Sequence, residues 1–185
     1  LVTATPPGPR SVALAGRLAT RTLGVIASQA TDIDTEKAYV SHYIDPQGFL
    51  KTPLVGQLAW AIPANRERLS IDTWYPMAAG PGANIRLWQD TARWSLKCGS
   101  CFALASMIQS WFGEDEIDIP TWEGAAAILF GCDDKTHIAH RSDPRGLSRY
   151  LPNADVHLLE GIGHFPELEG IEQYIDAIRT IANLA

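Results

Sequence analysis

The sequence predicts an α/β protein whose parallel sheet is interrupted by a large, mainly helical insertion. The chain opens with a strand-like segment, "LVTAT", and its middle part carries apolar residues at helical spacing. From residue 120 onward, strand-like and helix-like segments alternate, which favours parallel strands joined by right-handed crossovers. We therefore divide the chain into residues 1–10 (a core strand with its exit loop), 11–119 (the helical insertion) and 120–185 (the rest of the sheet with its helices).

The first strand is predicted to end at "PPGP", because proline fixes φ and removes a hydrogen-bond donor. Apolar residues recur at helical spacing in "SVALAGRLATRTLGVIASQA", residues 11–30, and in "DTEKAYVSHYI", which predicts helices there. Three more segments predict helices: "VGQLAWAI", "NIRLWQDTARWSLK" and "SCFALASMIQSWF". The proline and glycine content of "DPQGF" and "YPMAAGPGAN" predicts loops.

The C-terminal part contains two further strands. "AAAILFG" is a continuous apolar run, which is typical of a strand buried on both faces of a parallel sheet. "RGLSRYL" predicts a short helix, "DVHLLE" another strand and "ELEGIEQYIDAIRTIANL" the last helix. Together with the first strand this predicts a three-stranded sheet, which is short of core and implies further strands from elsewhere.

Composition narrows the class of partner. A formal net charge of −6 argues against a nucleic-acid surface, which is usually basic. The sequence has no apolar run long enough to span a bilayer and no N-terminal signal pattern, so we expect no membrane partner and a cytoplasmic location. Three cysteines cannot all pair, which argues against a disulfide scaffold.

Two loops carry the residues that could take part in catalysis. "GCDD" follows the strand "AAAILFG", and "GIGHFPE" follows the strand "DVHLLE". Because the carboxyl ends of parallel strands meet at one edge of a sheet, an acid and a histidine from these loops can meet. A carboxylate beside an imidazole fixes its tautomer and leaves the other ring nitrogen to face a nucleophile.

These two loops and their order resemble the C-terminal half of the α/β-hydrolase superfamily. Gly131 to Asp134 match its "G-x-x-D" turn, and Gly161 to Phe165 match its "G-x-G-H-F" loop. The resemblance implies Asp134 as catalytic acid, with Asp133 as the fallback, and His164 as catalytic base. It covers residues 124–185, extends more weakly to "LVTATPPGP" as the strand after the nucleophile helix, and implies that the helical insertion is a cap.

The superfamily's nucleophile elbow, G-x-S-x-G, does not occur in this sequence. The nearest approach is Ser100 in "KCGSCFA", which lacks the second glycine and the preceding strand. The chain also begins without methionine, inside a strand, which predicts a fragment or a cleavage product. We therefore expect the nucleophile on an N-terminal half of the same fold, as a second chain in sheet-continuing contact.

Other residues have simpler interpretations. The aromatic residues of the insertion either line a substrate pocket or pack the cap's own core: Trp60, Trp74, Tyr75, Trp88, Trp94 and Trp111. Cys98 and Cys101 form a C-x-x-C without a second pair, which argues for an incidental pair over a redox or zinc site. His137 and His140 have a spacing that could bind a metal, but surface histidines are the simpler interpretation.

The resemblance implies an esterase-like hydrolase that acts on a small-molecule ester or other acyl bond and needs no metal or cofactor. An aspartate nucleophile would instead give an epoxide hydrolase or dehalogenase. Two alternatives stay open: an acyltransferase on the same fold, and a non-catalytic binding module. The sequence does not identify the substrate-binding residues.

Overall fold

The computed structural model describes residues 2–4, 23–62, 67–97, 101–113 and 119–184. Four parallel strands within these residues form one sheet in the order β1-β2-β3-β4. They are β1 (Val2–Ala4), β2 (Val25–Ser28), β3 (Ala126–Gly131) and β4 (Ala154–Leu159). The predicted α/β class with a partial parallel sheet is confirmed.

Strand β2 corrects the sequence prediction. The helical spacing of residues 11–30 predicts a helix, but Val25–Ser28 form a strand whose four residues are all buried. The predicted three-stranded sheet is therefore wrong, since β2 lies between β1 and β3. Periodicity alone does not separate a short, fully buried apolar strand from a helix segment, which explains the error. The part of the prediction at 11–22 lies outside the described residues.

Alternate residues of the strands build two separate cores on the two faces of the sheet. On one face, Val25, Ala27, Ala126 and Ile128 pack with Trp122, Leu147 and Leu151. On the other, Ile26, Ala127 and Leu129 pack with Leu159, Ile162, Ala177 and Ile181. This period-2 division confirms that β3 is buried on both faces, as its continuous apolar run predicts.

The segment between β2 and β3 is mainly helical where it is described. Its α-helices are α1 (Ile33–Tyr39), α2 (Val55–Ala61), α3 (Tyr75–Ala78), α4 (Ile85–Lys97) and α5 (Cys101–Phe112), with π-helical turns at Val40–Ile44 and Glu67–Trp74. Helix α3 occupies part of "YPMAAGPGAN", for which the composition predicts a loop. The segment has its own core, formed by Val40, Leu50, Trp60, Ala105, Ile108 and Trp111. The limits 11–119 of the cap stay a prediction, although β2 lies inside them.

The C-terminal part brings loops to the carboxyl ends of β3 and β4. It contains helices α6 (Lys135–His140), α7 (Pro166–Glu169) and α8 (Ile171–Leu184) and a 3-10 helix at Pro144–Arg149. The predicted last helix is thus divided at Gly170, and "RGLSRYL" lies largely in the 3-10 helix. Among the described residues, no helix combines the length and apolar character that crossing a bilayer requires.

Candidate active site

The structure brings Asp134 and His164 together at the carboxyl edge of the sheet. The Nδ1 atom of His164 lies 2.6 Å from the Oδ2 atom of Asp134, within hydrogen-bond distance. The two residues come from the loops after β3 and β4, and they are 0% and 4% exposed, in that order. The predicted neighbourhood of acid and histidine therefore exists, and water is largely excluded from it.

Asp134 is held by several donors, because it is also the N-cap of α6. Its Oδ1 atom accepts hydrogen bonds from the backbone amides of Thr136 (2.9 Å) and His137 (3.3 Å) and from the Thr136 hydroxyl. Its Oδ2 atom accepts a bond of 3.2 Å from the Gln29 side-chain amide, in addition to the contact with His164. The carboxylate is thus fixed in position before any substrate binds.

These contacts also set the charge of Asp134. Burial alone would raise the pKa of its carboxyl. The hydrogen bond and positive charge of His164, the charge of His137 and the Thr136 hydroxyl outweigh burial and lower the pKa below its ordinary value. Asp134 is therefore a carboxylate at neutral pH, and it favours a proton on the facing nitrogen of His164.

Asp133, the fallback acid, has a different place. Its Oδ2 atom accepts a hydrogen bond of 2.6 Å from the backbone amide of Gly161, and its own amide donates to the carbonyl of Ile162 (2.8 Å). Asp133 thus ties the end of β3 to the backbone of the loop that carries His164. Geometry assigns the contact with the imidazole to Asp134.

Gln29 is a site residue that sequence reasoning missed. It directly follows β2, is fully buried and has a φ of 48°. Its side-chain oxygen accepts from the backbone amide of Gly131 (2.7 Å), and its side-chain nitrogen donates to the carbonyl of Gly131 (3.3 Å) and to Asp134. The sequence feature that could have identified Gln29 is its position as a polar residue directly after a strand. This feature was not visible because residues 11–30 were predicted to be helical.

The carboxylate of Glu169 also holds the loop with His164. Its Oε2 atom accepts from the backbone amides of Gly80 (2.7 Å) and Gly163 (3.0 Å), and its Oε1 atom accepts from the amide of Phe165 (3.2 Å). Gly80 lies after α3 in the helical segment, so Glu169 joins this segment to the histidine loop. Sequence reasoning gave Glu169 no role at the site.

Small residues let the backbone segments around His164 approach closely. The backbone amide of His164 donates to the carbonyl of Ala78 (2.8 Å). A Cβ atom at Gly163 would collide with Ala78 and Gly80, and one at Gly131 would collide with the carbonyl of Gly163. The glycines of the two motifs therefore permit a contact that larger residues would block.

Aromatic side chains of the helical segment lie beside His164. The Trp74 ring meets its imidazole edge to face at 4.8 Å, and the Phe165 ring lies at 5.0 Å. Tyr75 stacks on Phe165 at 5.6 Å, and Trp88 meets Phe165 at 4.8 Å. These four rings form an apolar cluster next to the imidazole.

The remaining aromatics singled out in the sequence lie elsewhere. Trp60 and Trp111 belong to the core of the helical segment, which agrees with the packing alternative. Trp94 is 71% exposed.

His137 lies inside the site, so the interpretation of His137 as a surface residue is wrong. It is 1% exposed because α6, whose N-cap is the buried Asp134, turns it inward. Its ring stacks on Tyr39 at 4.5 Å and on His164 at 5.3 Å, and its Nε2 atom lies 3.9 Å from Oδ2 of Asp134. Asp134, His137 and His164 are thus three potential metal ligands in one place. The side chain of His140 lies outside what is described.

A second buried carboxyl, Glu36 on α1, lies within electrostatic range of Asp134. Its Oε1 atom accepts from the amide and the hydroxyl of Thr31, both at 3.0 Å. Burial raises the pKa of Glu36 to about 8, and the negative charge of Asp134 adds to this effect. Glu36 is therefore largely protonated at neutral pH.

Ser100 and Cys98 lie outside the described residues, as does the side chain of Cys101. The structure therefore does not place the C-x-x-C motif or the serine relative to Asp134 and His164.

Comparison with solved structures reveals similar proteins, although no protein-family model and no curated protein matches the sequence. An epoxide hydrolase from Bacillus megaterium, crystallised with an inhibitor, superposes with a TM-score of 0.64 at 16% identity, over 99% of this chain and 68% of that chain. A mutant epoxide hydrolase from the same organism, in complex with its product (R)-3-[1]naphthyloxy-propane-1,2-diol, gives the same values. Est816, an N-acyl homoserine lactone degrading enzyme, superposes with a TM-score of 0.53 at 16% identity, over 97% of this chain and 65% of that chain.

The chain spans about two thirds of the length of these proteins, and nearly all of it takes part in the match. At such identities the likeness shows the fold. The chain has the α/β-hydrolase fold, as its "GCDD" and "GIGHF" loops predict.

Proposed function

We propose that this chain is the C-terminal portion of an α/β-hydrolase-fold hydrolase that cleaves an ester or related acyl bond. His164 is the general base and then the general acid, and Asp134 orients it and stabilises its charge. No metal ion or organic cofactor takes part in this chemistry.

The observation that carries the proposal is the contact of 2.6 Å between His164 Nδ1 and Asp134 Oδ2 in a buried site. A charged carboxylate at that distance favours the tautomer with the proton on Nδ1. The Nε2 atom, at the opposite side of the ring, then keeps its lone pair and can accept a proton.

In the proposed reaction, Nε2 of His164 removes the proton of a nucleophile while the nucleophile attacks the carbonyl carbon. The same proton passes to the leaving alcohol, which leaves an acyl-enzyme. Water repeats the cycle, gives its proton to Nε2 and releases the acid. Asp134 stabilises the imidazolium that forms twice in the cycle, and its low pKa keeps it ionised throughout.

The nucleophile lies outside the described residues, and the four-stranded sheet changes where to look for it. In the family the elbow comes first, then a helix, a strand and the cap. The resemblance implied that "LVTAT" is the strand after the nucleophile helix, but β2 lies between β1 and the helical segment, so β2 fits that position instead. By the family's order, β1 would then correspond to the strand that leads into the elbow. The sequence after β1 reads Thr5-Pro6-Pro7-Gly8, which contains one hydroxyl and no G-x-S-x-G.

Two sources of the nucleophile therefore require a test: Thr5, and a companion polypeptide that carries an N-terminal half of the fold. Strand β1 is an edge of the described sheet, with β2 as its neighbour. An added strand could pair with the outer edge of β1 and bring its own loop to the same end of the sheet.

An epoxide hydrolase is the second candidate, and the likeness to the Bacillus megaterium enzyme favours it. An aspartate nucleophile would form an alkyl-enzyme ester, and His164 would then activate the water that hydrolyses it. The aromatic cluster of Trp74, Tyr75, Trp88 and Phe165 suits an aryl substituent in either reaction.

The test is hydrolysis of a panel of aryl esters and aryl epoxides by the purified protein, together with any polypeptide that copurifies. We expect His164→Ala to lower turnover by about 10³-fold or more, because the base and its charge-stabilised form are lost. His157→Ala is the matched control, since His157 is an exposed residue on β4. Thr5→Val and mass spectrometry for a second polypeptide distinguish the two sources of the nucleophile.

Turnover by His164→Ala at the wild-type rate would contradict the proposal. Transfer of the acyl group to added alcohols in preference to water would favour the acyltransferase. A wild-type protein that turns over no ester or epoxide, with no nucleophile encoded upstream, would favour the non-catalytic binding module.

A further inference from the structure

The proposed relay uses two of three titratable side chains that converge at the carboxyl edge of the sheet. The third is His137, which projects from α6 into the same buried place. One ligand atom from each of Asp134, His137 and His164 lies within 4.8 Å of the other two, and the three residues are at most 4% exposed. The hydrolytic mechanism gives His137 no part.

We propose that Asp134, His137 and His164 form a binding site for a divalent transition-metal ion such as Zn²⁺, and that a bound ion switches the relay off. The binding site goes beyond the proposed function, whereas the inhibitory effect rests on it.

The ligand set fits this class of ion. Two imidazole nitrogens and one carboxylate oxygen are the donors that Zn²⁺ and its neighbours in the first transition series prefer. Three protein ligands leave one coordination position for water. Asp134 is fixed by Thr136, by the amide of His137 and by Gln29, so the central ligand is ordered before the ion arrives.

The distances require only small shifts. A tetrahedral ion with bonds of about 2.0–2.2 Å keeps its ligand atoms roughly 3.3–3.5 Å apart. In the structure the Asp134 Oδ2 atom lies 2.6 Å from Nδ1 of His164 and 3.9 Å from Nε2 of His137. These separations lie on either side of the required value, so each imidazole would move by less than about 1 Å relative to the carboxylate. All three ligand atoms lie within 4.8 Å of one another, so the two imidazole nitrogens would approach each other by at most about 1.5 Å.

The neighbouring rings allow such shifts within their planes. His137 stacks on Tyr39 with an angle of 17° between the rings, and it stacks on His164 at 28°. Sliding of nearly parallel rings keeps their face contacts, whereas a rotation would break them. The approach of an ion between these residues therefore leaves the aromatic packing largely intact.

Binding would remove the function of His164 through its tautomer. To bind at Nδ1, the ion requires the other neutral tautomer of the ring: Nδ1 gives its proton to solvent while Nε2 takes one proton from solvent, and the Nδ1 lone pair then goes to the ion. Nε2 carries the single proton of the neutral ring, so this nitrogen cannot accept a proton from a nucleophile. The ion thus competes with the proton that the relay requires.

The test is calorimetric titration of metal-free protein with Zn²⁺ in the absence of substrate. We expect one ion per chain. His137→Gln and His164→Gln should each weaken binding by at least about 10-fold, because each removes a ligand. His157→Gln is the matched histidine control and should bind like the wild type. Cys98→Ser with Cys101→Ser excludes the C-x-x-C motif and should also leave binding unchanged.

Because His137 is buried, the folded state of His137→Gln is checked by its thermal unfolding. Should this variant unfold, two other measurements test the site: the titration of His164→Gln with Zn²⁺, and the visible spectrum of Co²⁺ bound to wild-type protein. That spectrum reports tetrahedral nitrogen and oxygen ligands. The absence of stoichiometric Zn²⁺ binding would overturn the proposal. So would unchanged binding by folded His137→Gln or His164→Gln, or loss of binding in the cysteine variant.

The outcomes also separate this proposal from the proposed function. If Zn²⁺ binds through the three residues but His164→Ala turns over substrate normally, the metal site stands and the relay fails. If His164→Ala is inactive but folded His137→Gln binds Zn²⁺ like the wild type, the relay stands and the metal site fails. If both hold, Zn²⁺ inhibits turnover and a chelator restores it.

Discussion

Two buried carboxyl groups near the carboxyl edge of the sheet behave in opposite ways. Asp134, after β3, and Glu36, on the helix after β2, are both 0% exposed. The pKa of Asp134 lies below its ordinary value, whereas that of Glu36 is raised to about 8. Near pH 7, therefore, Asp134 is ionised and Glu36 is largely protonated.

The donors around each group explain the difference. Both oxygens of Asp134 accept hydrogen bonds, and His164 beside it can be positively charged. Glu36 receives donors from Thr31 on one oxygen, and its Oε2 atom has no hydrogen-bond partner among the described residues. Burial opposes the charge in both cases, so the number and charge of the donors decide which carboxyl ionises.

Loss of the charge on Asp134 should have the largest effect. Asp134→Asn places a neutral amide against His164, and the amide can donate to Nδ1 and favour the wrong tautomer. We expect turnover of the substrate identified in the panel to fall by about 10³–10⁴-fold. Steady-state kinetics measure this, with the protein's folded state confirmed by its unfolding curve.

Asp133→Asn is the matched control, since Asp133 is the neighbouring acid and bonds to the backbone of Gly161. Its turnover should stay within a few-fold of wild type. An equal loss in both variants would show that the loop geometry, and not the charge facing His164, is what matters.

Removal of the titratable carboxyl at Glu36 should change stability and not turnover, and the change should be a gain. Folded Glu36 keeps its proton up to about pH 8, whereas an unperturbed glutamate has a pKa of 4.5. Between these values the folded state binds more protons than the unfolded state, so the wild-type free energy of unfolding falls as pH rises. The glutamine in Glu36→Gln does not titrate, so this variant does not lose stability in this way and should be more stable than wild type by roughly 3–5 kcal/mol above pH 8.

Urea unfolding at about pH 5, 7 and 9 measures this difference, which should be small at pH 5 and grow with pH. Asp34→Asn, an exposed change on the same helix, controls for the loss of any carboxylate from α1. A difference between Glu36→Gln and wild type that stays constant with pH would mean that Glu36 is ionised in the folded protein.

The parts of the site that local patterns specify were predictable from the sequence. "GCDD" and "GIGHF" each follow a recognisable strand, and parallel strands bring their carboxyl ends to one edge, so the pairing of Asp134 with His164 was predictable. Most helices of the insertion were also predictable, because their apolar spacing extends over seven or more residues.

The missed parts depend on contacts between distant segments. Gln29 reaches Gly131 across 102 positions, and Glu169 reaches Gly80 across 89. No local pattern distinguishes these side chains from ordinary polar residues. The error at β2 compounded this, since a helix through residues 25–28 would not have delivered Gln29 to the edge of the sheet.

Substitution of Gln29 should have the smallest effect of these changes, and it tests one donor to Asp134 specifically. Its φ of 48° disfavours most substitutions, but asparagine tolerates this region and is too short to reach Asp134. Gln29→Asn should therefore lose one donor to the carboxylate and destabilise the protein by about 1–2 kcal/mol at neutral pH.

The pH dependence of this loss separates the contact with Asp134 from those with Gly131. A carboxyl with a lowered pKa contributes stability above its unfolded pKa, and this contribution disappears as pH falls through the folded pKa. The part of the loss that is due to Asp134 should therefore vanish in acid, while the part due to Gly131 should persist. Acid unfolding followed by circular dichroism measures both, and a loss that is independent of pH would mean that the Gln29 amide contributes nothing to the charge of Asp134.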